Sequence, residues 1–180
     1  ALFTTSEIPA NATLAEAAKI VKGNGKLNVW YQAQIHPNEP AAGEGALVMI
    51  DNFVNDPAYK ALLDKVNIVI VPRINPDGSY LFSRATYDGF DMNRDHMSLK
   101  AAELAQLHTA YRLFMSEVVL DTHEFTFYGA YNDDWTGAGE YMENADDLET
   151  TPATSLNNNP AVTKIGLDMA KRAFSDATNA

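Results

Sequence analysis

A histidine and a glutamate three positions apart, His36 and Glu39, are the first residues of this chain whose types and spacing could bind a metal. They directly follow an apolar run at residues 29–35. An imidazole nitrogen and a carboxylate oxygen can both bind zinc, but two ligands do not complete a site. Because a single His-x-x-Glu occurs often by chance, the pair needs a third ligand from elsewhere in the chain.

His123 is the candidate third ligand, and it also follows an apolar run, at residues 118–122. Structural zinc sites are usually closed by four protein ligands, often cysteines, and the chain contains no cysteine. Two histidines and one glutamate instead leave a coordination position open to water. The sequence therefore predicts a catalytic site for one Zn²⁺ ion, with His36, Glu39 and His123 as ligands.

The elements that must position these residues alternate between strand and helix patterns. Strands are predicted at residues 27–35, 67–71 and 118–122, the second as a continuous apolar run typical of a strand buried on both faces. The helical patterns lie at residues 13–21, 41–54, 98–115 and 161–174. This alternation predicts the α/β class, with helices layered on both sides of a mixed, largely parallel sheet.

No repeat or linker divides the chain, so we expect residues 1–180 to form a single domain. In sheets of this class, ligands bind outside the carboxyl ends of the strands. His36, Asn75 and His123 all lie at such ends, and one crevice could hold all three.

Composition excludes several classes of partner. The net charge of -11 argues against nucleic acid, and no apolar run is long enough to span a membrane. We expect a secreted or periplasmic location, although the absence of cysteine is also compatible with the cytoplasm. Residues 113–163 contain no Lys or Arg and carry a group of acidic residues. That segment is interpreted as a solvated loop, with calcium binding as the alternative.

Two further motifs complete an ordered series of four. Asn75-Pro76-Asp77-Gly78 is a strong turn sequence, and the series Asp-x-Asn-Arg ends at Arg94. The order His-x-x-Glu, Asn-Pro-Asp-Gly, Asp-x-Asn-Arg and a strand ending in Asp-x-His resembles the zinc carboxypeptidases of the A and B type, bacterial members above all. The resemblance covers roughly residues 29–125.

The resemblance implies roles for six residues. It makes His36, Glu39 and His123 the zinc ligands. It implies that Asn93 and Arg94 bind the terminal carboxylate of the substrate, which a guanidinium fork matches with two parallel hydrogen bonds. Arg84 stands where the family places an arginine that polarises the scissile carbonyl and stabilises the oxyanion.

Some residues near these motifs have simpler interpretations. Arg94 could instead form a surface ion pair with Asp91 or Asp95. His108 is interpreted as a packed or half-exposed helix residue and His96 as a loop histidine. Asn38 occupies a position where many relatives carry an arginine, which leaves the side-chain preference of the enzyme open.

The resemblance implies a hydrolase, a metallocarboxypeptidase in which zinc-activated water attacks the C-terminal bond of a peptide or protein. One alternative is a zinc amidohydrolase similar to aspartoacylase or succinylglutamate desuccinylase. That family shares three of the motifs but usually lacks Asn-Pro-Asp-Gly. A second alternative is a non-catalytic module that binds zinc or peptide.

Relatives place a tyrosine and a general-base glutamate well after the second zinc histidine, and no strand-like apolar run follows Phe127. We therefore expect this chain to be the front portion of the catalytic domain and to be inactive alone. Glu124 should point to the opposite face of its strand from His123, and Glu140 and Glu143 lie in the acidic segment. An exposed sheet edge should favour self-association.

Overall fold

The computed structural model describes residues 1–124 and 159–178, which fall into two compact units, residues 1–126 and 127–180. In the first unit, four strands form one sheet in the order β1–β3–β2–β4. The strands are β1 (Leu2–Phe3), β2 (Leu27–Ala33), β3 (Val66–Val71) and β4 (Val118–Thr122). The helices of this unit are α1 (Leu14–Gly23), α2 (Pro40–Asn55), α3 (Pro57–Leu62), α4 (Pro76–Leu81) and α5 (Ala102–Phe114).

The sheet is mixed and largely parallel, as the sequence predicts. β2 pairs in parallel with both β3 and β4, and only β1 is antiparallel to its neighbour β3. Successive residues of a strand point to opposite faces, so each central strand contributes to two cores. Trp30 and Val69 pack with α1 and α5 on one face, while Ile68 and Ile70 pack with α2 on the other. The predicted helix–sheet–helix layering is confirmed.

Two short elements are absent from the sequence prediction. β1 has two residues and α3 has six, which is too short for a hydrophobic period to be read. Both are held by tertiary contacts around one aromatic side chain. The ring of Phe53 stacks on Phe3 with 5.1 Å between centroids and meets Tyr59 edge-on at 5.3 Å.

Two predicted segments also have a different structure. The segment that begins at Asn75 is not only a turn: Asn75 Oδ1 accepts a hydrogen bond from the Gly78 N–H at 2.9 Å and caps α4. Pro76 suits the first helical position, where the missing N–H costs little. The predicted cap Ser98 lies outside α5, and Asp95 instead accepts the N–H of Ala101 at 2.8 Å.

The second unit contributes one described helix, α6 (Pro160–Thr178). Pro160 begins it as predicted, and Asn159 Oδ1 accepts the N–H of Ala161 at 2.9 Å. Of the helices in the described residues, none is long and apolar enough to cross a membrane. Residues 125–158 of the acidic segment, which include Glu140 and Glu143, lie outside the described residues, and so does the calcium alternative.

Candidate metal centre

The three predicted ligands converge because β2 and β4 are parallel neighbours. Their last residues pair directly, Ala33 with Thr122, so the two chains leave the same edge of the sheet side by side. His36 follows β2 by three positions, and His123 directly follows β4. Glu39 is the N-cap residue of α2, beyond a turn in which its N–H donates to the carbonyl of His36 at 3.1 Å.

The carboxylate of Glu39 lies between the two imidazoles. Its Oε1 is 2.8 Å from Nδ1 of His36 and its Oε2 is 2.9 Å from Nδ1 of His123. The two Nδ1 atoms are 3.1 Å apart. All the candidate ligand atoms lie within 4.8 Å of one another. The geometry therefore brings together the three residues that the sequence selects as ligands.

The three side chains differ in exposure and in proton affinity. Burial lowers the pKa of His36, which is 5% exposed. Burial alone would raise the pKa of Glu39, but hydrogen bonds from His123 and from the N–H of Glu124, with the charges of both histidines, lower it. His123 is exposed, and its hydrogen bonds to Asp121 and then to Glu39 raise its pKa to about 9. The shared carboxylate is thus kept ionised.

This donor set fits zinc, which takes imidazole nitrogen and carboxylate oxygen at about 2.0–2.2 Å. Both histidines present Nδ1 to Glu39, so three donor groups of the right kind face one point. On the other side of the His36 ring, Nε2 is buried without a hydrogen-bond partner among the described residues. Asp91 Oδ1 lies 3.6 Å from this atom and is a suitable acceptor for the ring N–H of a metal-binding histidine.

Arg84 lies next to this cluster. Its Nε donates to Asp91 Oδ2 at 2.9 Å, and its Nη1 is 3.7 Å from Glu39 Oε1. Burial would raise the pKa of Asp91, but the hydrogen bond and charge of Arg84 lower it. One carboxylate therefore links the arginine to His36. Asp91 belongs to a motif in the sequence, yet the sequence interpretation considered it only as an alternative partner for Arg94.

Asn93 and Arg94 lie in a 3₁₀ turn, Met92–Arg94, that Asp91 caps by accepting the N–H of Asn93 at 2.9 Å. The Arg94 side chain is exposed and donates from Nη1 to the carbonyl of Asn93 at 2.9 Å. Among the described residues it forms no ion pair, so the alternative pairing with Asp91 or Asp95 is absent. In the same part of the chain, neither side chain has a hydrogen bond to the His–Glu–His cluster.

The sequence interpretation assigned no role to Asp121, which lies next to His123, or to Gln32, which holds Asp121. Asp121 Oδ2 lies 3.4 Å from His123 Nε2, and Gln32 Nε2 donates to Asp121 Oδ1 at 3.0 Å. The available signal was the Asp-x-His motif, in which Asp121 stands two residues before the candidate ligand. β4 ends at Thr122, before both His123 and Glu124, so the strand rule behind the prediction for Glu124 does not apply to it. The Glu124 carboxylate accepts the N–H of Ala41 at 2.9 Å.

A second histidine pair was also missed. His96 Nδ1 lies 2.9 Å from His108 Nε2, with 5.2 Å between ring centroids. His96 is exposed and His108 is half-buried on α5, so each matches its own interpretation from the sequence. Their contact could not be read from the sequence, since twelve residues and a change from loop to helix separate them.

Comparison with known proteins agrees with this geometry. The chain is 37% identical over 102 residues to Carboxypeptidase 2 of Trichophyton rubrum, a match that covers 56% of this chain and 19% of that protein. It thus spans about a fifth of the length of the curated relatives that it matches.

Two solved structures share the fold. A metallo-carboxypeptidase from Burkholderia cenocepacia superposes with a TM-score of 0.50 and 29% identity over 57% of this chain and 30% of that chain. A metallo-carboxypeptidase from Pseudomonas aeruginosa, in complex with (2-guanidinoethylmercapto)succinic acid, gives a TM-score of 0.51 and 27% identity over the same shares. The family profile described as zinc carboxypeptidase matches residues 7–149. Because that match covers more than half of this chain, the chain belongs to the zinc carboxypeptidase family.

Proposed function

We propose that the protein is a zinc-dependent carboxypeptidase that hydrolyses the C-terminal bond of peptides, with His36, Glu39 and His123 as zinc ligands. The observation that carries the proposal is the Glu39 carboxylate held between the two Nδ1 atoms at 2.8 and 2.9 Å. Zinc bound there would polarise a carbonyl oxygen and lower the pKa of a water ligand. Family membership supports the same chemistry.

Arg84 is proposed to stabilise negative charge on the scissile carbonyl. Its Nη1 is 3.7 Å from Glu39 Oε1, so its guanidinium already lies beside the ligand cluster. Its bond to Asp91 holds Nε and leaves the two Nη groups as further donors. A positive charge beside a metal-polarised carbonyl stabilises the oxyanion that forms during attack.

Asn93 and Arg94 are proposed to bind the free carboxylate of the substrate. Two features support this: Arg94 is exposed and has no ion-pair partner in the described residues, and Asp91 connects its turn to the cluster. A guanidinium fork binds a carboxylate with two parallel bonds. Such a site would select the last residue of a peptide over an internal one.

The test compares two substrates and uses any form of the protein that hydrolyses peptides. Replacing Arg94 with Ala should reduce kcat/KM for a peptide with a free C-terminus by roughly 10- to 150-fold, the loss of a charged hydrogen bond. A peptide amidated at its C-terminus should lose much less. Equal losses for both peptides would remove Arg94 from substrate binding.

The chain by itself is proposed to bind zinc but to turn over little substrate. General acid–base catalysis contributes about 10²- to 10⁴-fold, and Glu124 is already engaged by the N–H of Ala41. Zinc-dependent hydrolysis by the purified chain, abolished by Glu140→Gln or Glu143→Gln, would contradict this and place the base in the acidic segment.

Three further points from the sequence remain proposals: a single domain over residues 1–180, an exported protein, and self-association through a sheet edge. For the last, β4 pairs only with β2 within the described residues, and Val119 and Leu120 are 46% and 44% exposed. An open edge of this kind invites pairing with another chain. Sedimentation of the chain, with and without a Val119→Lys change, tests the edge.

A further inference from the structure

The segment that carries His36, residues 34–37, is packed against two glycines from different helices. Gln34, Ile35, His36 and Pro37 are all buried. Gly43 on α2 faces the Gln34 side chain, and Gly78 on α4 faces the Pro37 ring. His36 therefore lies between two anchored residues, one before it and one after it.

Gln34 has a backbone conformation that is unusual for its type. Its φ is +53°, in the left-handed region, which is unfavourable for a residue with a side chain. This conformation ends β2 and turns the chain toward Glu39. Such strain persists only where the surroundings hold it, so the contacts of this side chain need an explanation.

Those contacts hold the Gln34 side chain from three sides. Its Oε1 accepts from Arg73 Nε at 2.8 Å, and its Nε2 donates to the carbonyl of Pro37 at a long 3.4 Å. The second bond spans His36 and closes the segment on itself. The third side is α2, where a Cβ at Gly43 would lie 2.5 Å from Gln34 Oε1 and 2.9 Å from Cγ. With Gln34 only 3% exposed, it has little room to move away.

Pro37 supplies the other anchor. A Cβ at Gly78 would lie 2.3 Å from Pro37 Cγ and 2.7 Å from the carbonyl oxygens of Ser83 and Ala85. The Asn-Pro-Asp-Gly motif thus does more than begin α4. Its last residue, Gly78, has no side chain, so the Pro37 ring can pack directly against the backbone of α4.

We propose that Gln34, packed on Gly43 and bonded across to Pro37, is a positioning residue that sets His36 against Glu39. Gly43 lies one helical turn after Glu39 on α2, so the contact joins the end of β2 to the turn of helix that presents the carboxylate. The inference rests on the proposed function in taking His36 and Glu39 as zinc ligands.

The experiment measures zinc affinity of the chain by competition with a chromophoric chelator in four variants. Gly43→Ala should weaken zinc binding roughly ten-fold or more, as loss of a residue that orients a ligand does. Gly45→Ala, in the same helix with nothing within 4 Å of its new Cβ, is the matched control and should stay within about two-fold. Gln34→Gly alone should weaken binding by a smaller factor, because the bond to Pro37 is lost.

The decisive measurement is made on the double variant, Gln34→Gly with Gly43→Ala. When Gln34→Gly is present, Gly43→Ala has no side chain to displace, so its added penalty should fall below about two-fold. An undiminished penalty would show that Gln34 is not the group that Gly43 accommodates. Unchanged affinity in Gln34→Gly, or in Gly43→Ala, would also overturn the proposal.

A readout without zinc separates this inference from the proposed function. If the unaltered chain fails to bind zinc, the proposed function fails. The positioning role of Gln34 is then tested by the ¹⁵N resonances of the His36 ring in the metal-free chain. Gly43→Ala should shift them by disturbing the bond to Glu39, and Gly45→Ala should not. Resonances that are the same in both variants would overturn the positioning role.

Discussion

Two pairs of histidines in this protein have nearly the same geometry and very different surroundings. His36 and His123 place ring nitrogens 3.1 Å apart, and His96 and His108 place theirs 2.9 Å apart. In the first pair, Glu39 lies within hydrogen-bond distance of both rings. In the second, neither ring forms an ion pair with any carboxylate of the described residues.

The Glu39 carboxylate changes the proton affinity of the histidine that it contacts. Hydrogen bonds to Asp121 and Glu39 raise the pKa of His123 to about 9. Burial first, and then the charges of His96 and Arg112, lower the pKa of His108. A positive charge is therefore favoured on His123 and disfavoured on His108. Close imidazoles alone do not predict a cation site; a shared carboxylate does.

The largest expected effect follows from removing that carboxylate. Glu39→Gln keeps the shape of the side chain but loses its charge, so the first pair should come to resemble the second. Zinc affinity should fall by more than about 100-fold, beyond the range typical of groups that only orient ligands. Chelator competition measures it, with Glu103→Gln on α5 as the control. A variant within ten-fold of the unaltered chain would show that the histidines suffice.

A smaller loss is expected from Asp121→Asn. Asp121 contacts His123 on the side away from Glu39, at 3.4 Å, and is itself held by Gln32. An amide in its place is a weaker orienting acceptor, and loss of such a partner typically costs 10- to 100-fold in metal affinity. Asp51→Asn, on the exposed side of α2, controls for the change in net charge. Equal affinities in the two variants would contradict a role for Asp121.

The second pair should contribute little to zinc binding. We expect the double variant His96→Ala with His108→Ala to bind one equivalent of zinc with an affinity within about two-fold of the unaltered chain. Calorimetric titration gives both the stoichiometry and the affinity. A second equivalent in the unaltered chain that disappears in the variant would show that two imidazoles bind zinc here without a carboxylate.

The smallest effect concerns pH. Since the pKa of His108 is lower in the folded chain than its ordinary value of 6.5, the unfolded chain binds more protons below that pH. This residue therefore reduces stability as the pH falls below 6.5 and through the folded pKa. The free energy of unfolding should drop less between pH 7 and pH 5 in His108→Gln than in the unaltered chain. Urea titrations at the two pH values check this, and parallel losses would contradict it.

Much of the fold could be predicted because its signals are local and long. The continuous apolar run of β3 and the helical period of α2 give their types and nearly their ends. The wrong assignments concern short or capped segments. Neither Leu2–Phe3 nor Pro57–Leu62 has enough residues to show a period, and α4 depends on one hydrogen bond from Asn75 to Gly78.

The sequence by itself determined which residues could bind the metal, because imidazole and carboxylate groups stand at the ends of short apolar runs that favour strands. It could not determine which groups surround them. The bonds of Asp91 to Arg84, of Asp121 to His123, and of Gln34 to Arg73 join residues 7, 2 and 39 positions apart. Only the tertiary structure decides such contacts, since hydrogen-bond partners are set by distances of about 3 Å that chain spacing does not encode. The same holds for Gly43, whose missing side chain acquires meaning only when Gln34 is packed against it.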